Sequence, residues 1–360
     1  MNYTKSYIIL IIFYFLTYNT YSQNHNSFPD SITLKKRVLR ILFYNVENYF
    51  DTFNDSIKRD DEFLPNQGKY WTKGRYYTKQ EHISQVIVGV GGWEPPEIIG
   101  LCEIENRTVL TGLVKYAPIK KLNYRIIHKE SPDKRGIDVA LLYLKKSFTP
   151  ISYKAIEIKF PFSPNSTTRD ILYVKGHTKQ NDTLHIFVNH WPSRWGGQLE
   201  TERKRMFVAS VLKKETDSIF NTNKNVNIII MGDFNDYPEN KSISITLDAK
   251  KSYNNIKNTN LYNISAYLQN KKGQGTHKHE GKWATLDQFI VSGSLLNKSN
   301  KIYTSINDVH IYNADFLLEP DNNYSGVTTN RTYIGFKYHG GYSDHLPTFL
   351  DLQVNSAVMD

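Results

Sequence analysis

Cysteine is almost missing from this chain of 360 residues, which contains only Cys102. A single thiol excludes an internal disulfide and a zinc site made of thiolates alone. Cys102 lies within the apolar run IIGLCEIE, where a buried structural thiol is more common than a nucleophile. We therefore expect a packed apolar core, rather than cross-links, to stabilise the fold.

A hydrophobic run long enough to span a bilayer is also missing. The apolar run YIILIIFYFL at residues 7–16 follows Lys5 and is too short to cross a membrane comfortably. Small or uncharged residues precede Gln23, as at a signal-peptidase site. We predict a signal peptide at residues 1–22, a polar linker at 23–36 and a secreted or periplasmic protein with no stable membrane anchor. An uncleaved anchor is the alternative.

Several sequence signatures of other enzyme classes are absent. The chain has no GxSxG, no GxxxxGK phosphate loop and no HExxH zinc helix. What it does have is excess positive charge, with a formal net charge of +10 and a pI near 9.2. This balance favours anionic partners such as phosphodiesters or acidic surfaces, although scattered surface lysines produce the same total.

Short apolar runs rich in β-branched residues recur along the chain and predict strands. Helical spacing of apolar residues predicts helices at 78–90 and 198–220 between them. No repeat or linker divides residues 37–354, so we expect one α/β domain, with residues 310–340 as a candidate insertion. The predicted strands are 38–46, 97–104, 138–144, 184–191, 226–234, 286–291 and 345–354.

Polar residues repeatedly follow the apolar strands, at the strand ends where ligands bind in layered α/β folds. Asn45 and Glu103 each end a strand, and their oxygens are hard ligands suited to Mg²⁺, Mn²⁺ or Ca²⁺. Each residue alone is more often a cap or a turn residue. In MGDFND, Gly232 permits close backbone approach, and Asp233 and Asn235 face one side because strand periodicity is two.

Two histidine segments complete the candidate chemistry. In NHWPSRWGG, His190 ends a strand and could donate to a phosphoryl oxygen near a helix entry. In SDHLP, Asp344 and His345 are adjacent at a turn and can face a metal and a water respectively. A general base at His345 would need a carboxylate to fix its tautomer, and Asp287 is the candidate partner.

Seven segments in this order resemble the endonuclease/exonuclease/phosphatase superfamily, whose fold is DNase I-like: YNVEN, IGLCEIEN, RGIDVALLY, VNHWPSRWGG, MGDFND, LDQFIVS and YSDHLP. The resemblance covers about residues 37–354 and implies a four-layer sandwich, with two mixed sheets packed face to face and helices outside. It also implies that the active site lies at one edge of that sandwich.

The resemblance implies roles for individual residues. Asn45, Glu103 and Asp344 would bind the metal, Mg²⁺ or else Mn²⁺ or Ca²⁺. His190 and Asn235 would orient the phosphate, Asp233 would position or activate the water, and His345 paired with Asp287 would act as general base or electrostatic stabiliser. The candidate substrate-binding residues are Arg135, Arg169 and Arg194.

The leading functional prediction is an exported monomeric nuclease that hydrolyses DNA or RNA, because the basic segment KGRYYTK at 73–79 could follow a polyanionic backbone. The alternative is a phosphoesterase acting on a lipid headgroup or a small phosphate, since the fold does not determine the substrate. Lipid activity would need an exposed apolar loop, for which ADFLL at 314–318 is the candidate. A non-catalytic binding module is the third possibility.

Overall fold

The computed structural model describes residues 37–269 and 273–355, and this part of the chain forms one compact unit. The predicted signal peptide and linker lie outside the described residues. Within them, no helix is long and apolar enough to cross a membrane.

The helices are α1 (Lys73–Gly91), α2 (Arg107–Lys115), α3 (Gln198–Thr222) and the short α4 (Ala266–Gln269). The strands in chain order are β1 (Arg37–Tyr49), β2 (Ile98–Ile104), β3 (Arg125–His128), β4 (Asp138–Tyr143), β5 (Phe148–Ile156), β6 (Ile171–Thr178), β7 (Thr183–His190), β8 (Asn227–Asp233), β9 (Leu261–Asn263), β10 (His277–His279), β11 (Lys282–Ala284), β12 (Asp287–Ser292), β13 (Ile302–Tyr303), β14 (Val309–Ile311), β15 (Leu318–Pro320), β16 (Val327–Thr329), β17 (Tyr333–Ile334), β18 (Lys337–Tyr338) and β19 (Thr348–Val354).

Two large sheets form the centre of the domain. The first has the order β13-β19-β1-β2-β4-β3, with β14 also paired to β19, and the second has the order β5-β6-β7-β8-β12-β9. Each sheet contains one parallel pair, β1 with β2 and β7 with β8, and its other pairs are antiparallel. Both sheets are therefore mixed, as predicted.

The period-two alternation of β1 explains why the sheets and helices form layers. Ile41 and Phe43 point into a core shared with the second sheet, where they join Met231. Leu42 and Tyr44 point the other way, into a core shared with α1 and α2. A third core lies between the second sheet and α3. The four-layer, DNase I-like sandwich is thus confirmed.

The helices begin and pack as their sequences require. Thr72 caps α1 by accepting a hydrogen bond from the Arg75 N–H, and Asn106 caps α2 by accepting from two backbone N–H groups. Both helices pack apolar side chains against the first sheet. Helix α2 begins three residues after the end of β2, the strand that carries Glu103. The inward residues of α1 recur at helical spacing, namely Ile83, Val86, Ile87 and Val90.

One expectation about the chain needed correction, and one long strand was not predicted. The predicted insertion at 310–340 is partly integral, because β14 joins the first sheet and Leu317 is buried in the core between that sheet and α1 and α2. Leu317 therefore cannot belong to an exposed apolar loop. The long strand β5 went unpredicted because it lies at a sheet edge and most of its residues are partly or fully exposed, which leaves no clear apolar pattern.

Candidate active site

The carboxyl ends of β1 and β2 in the first sheet meet those of β7 and β8 in the second. A hydrogen bond links the sheets at this edge, since Asn45 Nδ2 donates to Asp233 Oδ2 at 3.1 Å. Ser343 attaches the loop before β19 to the same place: its Oγ donates to the Asn45 carbonyl at 2.7 Å and accepts from the His345 N–H at 3.1 Å. Residues distant in sequence therefore surround one small buried volume.

Asp287 and His345 form the buried ion pair that the sequence predicts. Nδ1 of His345 lies 2.7 Å from Asp287 Oδ2, which leaves Nε2 directed toward Asp233 Oδ2 at 3.9 Å. Burial disfavours the imidazolium, but the carboxylates of Asp287 and Asp233 outweigh it and raise the pKa of His345 well above its ordinary value. Asp287 thus fixes both the orientation and the charge of the ring.

Asp233 lies at the centre of the site. Its Oδ2 is 3.6 Å from His190 Nε2, and its Oδ1 accepts the backbone N–H of Asn235 at 2.9 Å. Burial raises the pKa of Asp233 to about 7, with Asp287 adding to this effect and His345 opposing it. The carboxylate therefore lies between two imidazoles, and its pKa is close to neutral pH.

Gly232 explains how Asp233 reaches this position. A Cβ on Gly232 would lie 2.5 Å from the carbonyl oxygen of Asn189, so only glycine allows β7 and β8 to approach this closely. The close approach predicted from the sequence is confirmed, and it brings His190 directly opposite Asp233 in the strand register.

His190 is held in a different state from His345. Burial, followed by the positive charges of Arg169 and Arg135, lowers the pKa of His190 well below its ordinary value. Its Nε2 lies 3.9 Å from Glu103 Oε1, and its buried Nδ1 has no hydrogen-bond partner within the described part of the chain. The site thus combines a neutral imidazole with a charged one.

The three predicted metal ligands lie at this edge with their oxygens partly engaged. Glu103 has a left-handed backbone (φ 62°), and its Oε2 accepts the Asn48 N–H at 2.8 Å. Asp344 pairs with Arg331 at 2.9 Å. Although burial opposes ionisation, Arg331 and His345 hold the pKa of Asp344 at about 2. Both residues therefore keep acidic oxygens at the site.

Arg331 and Glu47 were not among the predicted site residues. Arg331 also contacts Glu47 at 3.2 Å, and Glu47 Oε2 accepts the Thr332 N–H at 2.7 Å. Glu47 therefore ties the 331–333 segment to the end of β1. A polar residue at a strand end is a signal that could have revealed Glu47, but an arginine inside a presumed insertion gives no such signal.

His277 was also missed. It forms a backbone bridge to His345, and the two rings lie 4.8 Å apart. Burial, followed by the charge of His345, lowers the pKa of His277 to about 3. Its position in the loop-rich segment before β12 gave no indication in the sequence that it faces the site.

The three predicted substrate-binding arginines differ in what they contact. Arg169 is buried and donates to the carbonyls of His190 and Trp191, at 3.2 and 2.5 Å, and to Asp133. Arg194 donates to the Asn235 carbonyl at 2.7 Å, to Asp236 and Asn240 in the same loop and to Gln198 at the start of α3. These two therefore position the loops that carry His190 and Asn235.

Arg135 is the most accessible of the three, with a half-exposed side chain 3.7 Å from Asp133. Its charge reaches the site, as its effect on the pKa of His190 shows. A contact with substrate stays a prediction for all three arginines.

The donor set fits a hard divalent cation. Three groups within the described residues place their ligand atoms within 4.8 Å of one another, and two of them lie at this edge: Asp233 with Asp287 and His345, and His277 with Asp344 and His345. Asp287 Oδ1 is buried without a hydrogen-bond partner, as a carboxylate facing a cation would be. The carboxylate and amide oxygens of this set suit Mg²⁺ or Mn²⁺.

Comparisons with solved structures agree with this architecture. The human Nocturnin catalytic domain with bound sulfate aligns with a TM-score of 0.52 at 17% identity, covering 88% of this chain and 94% of that one. A mannosyl-6-phosphatase from Bacteroides thetaiotaomicron aligns with a TM-score of 0.53 at 14% identity, covering 87% and 99%. At these identities the likeness concerns the fold alone.

A truncated TDP2 from Caenorhabditis elegans aligns with a TM-score of 0.50 at 14% identity, covering 88% of this chain and 98% of that one. Comparison with curated protein sequences gives no match. The sequence pattern of the Endonuclease/Exonuclease/phosphatase family matches residues 40–354. The chain therefore belongs to the endonuclease/exonuclease/phosphatase family of phosphoric-ester hydrolases, which in general depend on a divalent metal.

Proposed function

We propose that this protein is a metal-dependent nuclease that hydrolyses DNA or RNA by attack of water on phosphorus. The observation that carries the proposal is the Asp233 carboxylate placed between His190 and His345, at 3.6 and 3.9 Å, with His345 held by Asp287. A phosphoryl group has donors on both sides there, and a water has a carboxylate to orient it.

Asn45, Glu103 and Asp344 would hold Mg²⁺, or alternatively Mn²⁺ or Ca²⁺. When bound, the ion would stabilise negative charge on the leaving oxygen. The fixed positions of Asn45 and Glu103 come from two hydrogen bonds, one to Asp233 and one from the Asn48 N–H. These contacts orient the ligand side chains before any ion arrives.

The remaining residues act on the phosphate and the water. Asp233 orients the attacking water and can accept its proton. His190 and Asn235 contact the non-bridging oxygens, and Arg169 and Arg194 hold the loops that carry them. His345, whose ring Asp287 and Asp233 keep charged, suits the role of electrostatic stabiliser, and it could act as general base only after losing its proton. In both roles its Nδ1 must stay on Asp287.

A hydrolysis panel tests this proposal. Purified protein would be tested against single-stranded and duplex DNA, RNA, bis-p-nitrophenyl phosphate, sphingomyelin and a sugar phosphate, each with magnesium, manganese or calcium. We expect cleavage of nucleic acid and of the small diester, and loss of both in His345→Ala. His279→Ala, which changes an exposed histidine, is the matched control. Intact DNA and RNA under every metal would refute the nuclease.

A phosphoesterase that acts on a lipid headgroup is the second candidate. The loop after His190 carries exposed Trp195, and exposed Leu199 follows in the first turn of α3. Two exposed apolar side chains beside the catalytic edge suit contact with a lipid surface. Sphingomyelin hydrolysis that exceeds nucleic-acid cleavage, and that falls in Trp195→Ser, would favour this candidate.

We also propose that the protein is exported as a monomer after removal of residues 1–22. The support is the short apolar run at 7–16 followed by uncharged residues. Mass spectrometry of protein recovered outside the cytoplasm should give an N-terminus at Gln23, and light scattering should give the mass of one chain. An intact N-terminus in the membrane fraction would contradict export.

A further inference from the structure

A groove of about 540 Å³ lies between the first half of α1, the helix α2 and the segment that follows β1. No residue in this groove belongs to the catalytic constellation. Its lining residues include Asp51, Phe53, Lys73, Tyr76, Tyr77, Arg107 and Tyr116.

Aromatic rings dominate the groove. Phe53, Tyr77 and Tyr116 line it while remaining 69%, 56% and 76% exposed. Tyr76 is half-buried and packs at 5.4 Å from the Tyr77 ring and 5.7 Å from the Tyr49 ring. The Tyr77 ring therefore packs on Tyr76, which in turn packs on the buried Tyr49. Large exposed aromatic side chains in one concavity mark a surface suited to a flat ligand.

Two of the three charged residues that line the groove are positive. Lys73 and Arg107 line the groove and are exposed. Asp51 is the only acid among the lining residues, and its two carboxylate oxygens already accept from the Phe53 N–H and from Asn106 Nδ2. An anionic ligand would thus meet two cations and an acid whose oxygens are already occupied by donors.

Hydrogen bonds connect the groove to the catalytic edge. The Asn48 N–H donates to Glu103, and the Asp51 N–H donates to Glu105 at 2.5 Å. Arg107 begins α2 four residues after Glu103, a separation of at most about 14 Å along the chain. The groove therefore begins within reach of a polymer whose phosphate lies at Glu103.

We propose that this groove is a subsite for unpaired nucleic acid, in which bases stack on Tyr77 and Tyr116 while Lys73 and Arg107 contact the flanking phosphates. The inference rests on the proposed nuclease function and specifies its substrate as single-stranded. Aromatic rings beside cationic side chains suit single-stranded nucleic acid, because every unpaired base can stack on a ring and every nucleotide carries a negative phosphate. A neutral glycan could stack on the rings but would gain no charge pairing with Lys73 and Arg107.

The test measures binding apart from hydrolysis. A fluorescein-labelled single-stranded DNA of about twelve nucleotides is titrated with protein in EDTA and followed by anisotropy. We expect Tyr77→Ala/Tyr116→Ala to weaken binding about tenfold or more, since each stack contributes about 1–3 kcal/mol. Trp93→Ala, which removes a fully exposed ring just beyond the far end of α1, should bind like the wild type.

A second variant tests the charges. Lys73→Gln/Arg107→Gln should make the dependence of log K on log salt shallower by about 1 unit. Thermal unfolding midpoints of all variants should match the wild type because the changed side chains are exposed, so a folding defect can be recognised. Unchanged affinity in the tyrosine double variant overturns the subsite. Weakened binding to phosphatidylserine vesicles, with DNA binding unchanged, would overturn it in favour of a lipid.

Hydrolysis of bis-p-nitrophenyl phosphate separates this inference from the proposed function. Turnover of that diester by a wild type that does not bind the oligonucleotide refutes the subsite and leaves the phosphodiesterase standing. Binding of the oligonucleotide that depends on the two tyrosines, without any hydrolysis of the diester, supports the subsite and refutes the proposed phosphodiesterase activity.

Discussion

The two sheets bring their acidic side chains to the catalytic edge in different ways. In the first sheet, Glu47 and Glu103 sit on left-handed backbone, at φ 52° and 62°, and accept backbone N–H groups. In the second sheet, Asp233 and Asp287 are direct partners in a regular antiparallel register and contact histidine rings. The first sheet thus holds its carboxylates on strained backbone, and the second places its carboxylates against imidazole rings on regular strands.

The largest expected effect is on the second sheet's chemistry. Asp233→Asn removes the acceptor that orients and deprotonates water, so kcat should fall by about 10²–10⁴. Excess metal should not restore it. Steady-state hydrolysis of bis-p-nitrophenyl phosphate measures this, and near wild-type kcat in the variant would remove Asp233 from the mechanism.

Glu103→Gln changes the first sheet instead, and should act on the metal. We expect the concentration of Mn²⁺ that gives half-maximal activity to rise by about 10–100-fold, with much of kcat recovered at saturation. If Glu103→Gln and Asp233→Asn respond alike to a metal titration, the proposed division of roles between the two sheets is wrong.

Glycines at the packed sheets allow a matched comparison of stability. Gly232→Ala places Cβ against backbone and should destabilise the fold by about 1–3 kcal/mol. Gly100→Ala in the first sheet would meet the flexible end of Met231 at 2.7 Å, so its cost should be smaller. Urea denaturation of both variants checks the order. Equal losses would show that a Cβ against the Asn189 backbone costs no more than one against the flexible end of Met231.

The smallest effect concerns His185, on β7 away from the catalytic edge. Burial, followed by the charge of Lys175, lowers the pKa of His185 from 6.5 to about 4. The unfolded chain therefore binds the extra proton between these pH values, and stability falls as pH drops through this window. We expect about 1 kcal/mol to be lost between pH 7 and 5 after allowance for solvent screening.

His185→Gln should remove this part of the pH dependence, as urea unfolding at the two pH values would show. An unchanged slope in the variant would assign the proton uptake elsewhere, including to the site histidines. The result therefore shows whether the pH dependence of stability comes from His185 or from histidines of the site.

The sequence predicted the second sheet's contribution better than that of the first. His190, Asp233 and Asp287 lie on regular strands whose apolar runs are easy to read, so their side-chain directions follow from strand periodicity. Asp287 and His345 were paired correctly because the histidine needed a carboxylate partner.

The first sheet's surroundings could not be read in the same way. Arg331 meets Glu47 across 284 residues, and Lys79 reaches Thr332 across 253. These contacts depend on how the 310–340 segment folds back over β1, for which no local pattern exists. The sequence also could not show that Arg169 and Arg194, which are predicted to bind substrate, donate to the carbonyls of Trp191 and Asn235.

The central claim is that the His345–Asp287 pair, Asp233 and a divalent ion together hydrolyse phosphodiesters. The direct test follows bis-p-nitrophenyl phosphate turnover while metal-stripped wild type and His345→Ala are titrated with Mg²⁺ or Mn²⁺. We predict metal-dependent turnover in the wild type and a rate at least about 10²-fold lower in the variant at every metal concentration. Equal turnover in both proteins, or turnover that EDTA does not abolish, would contradict the account.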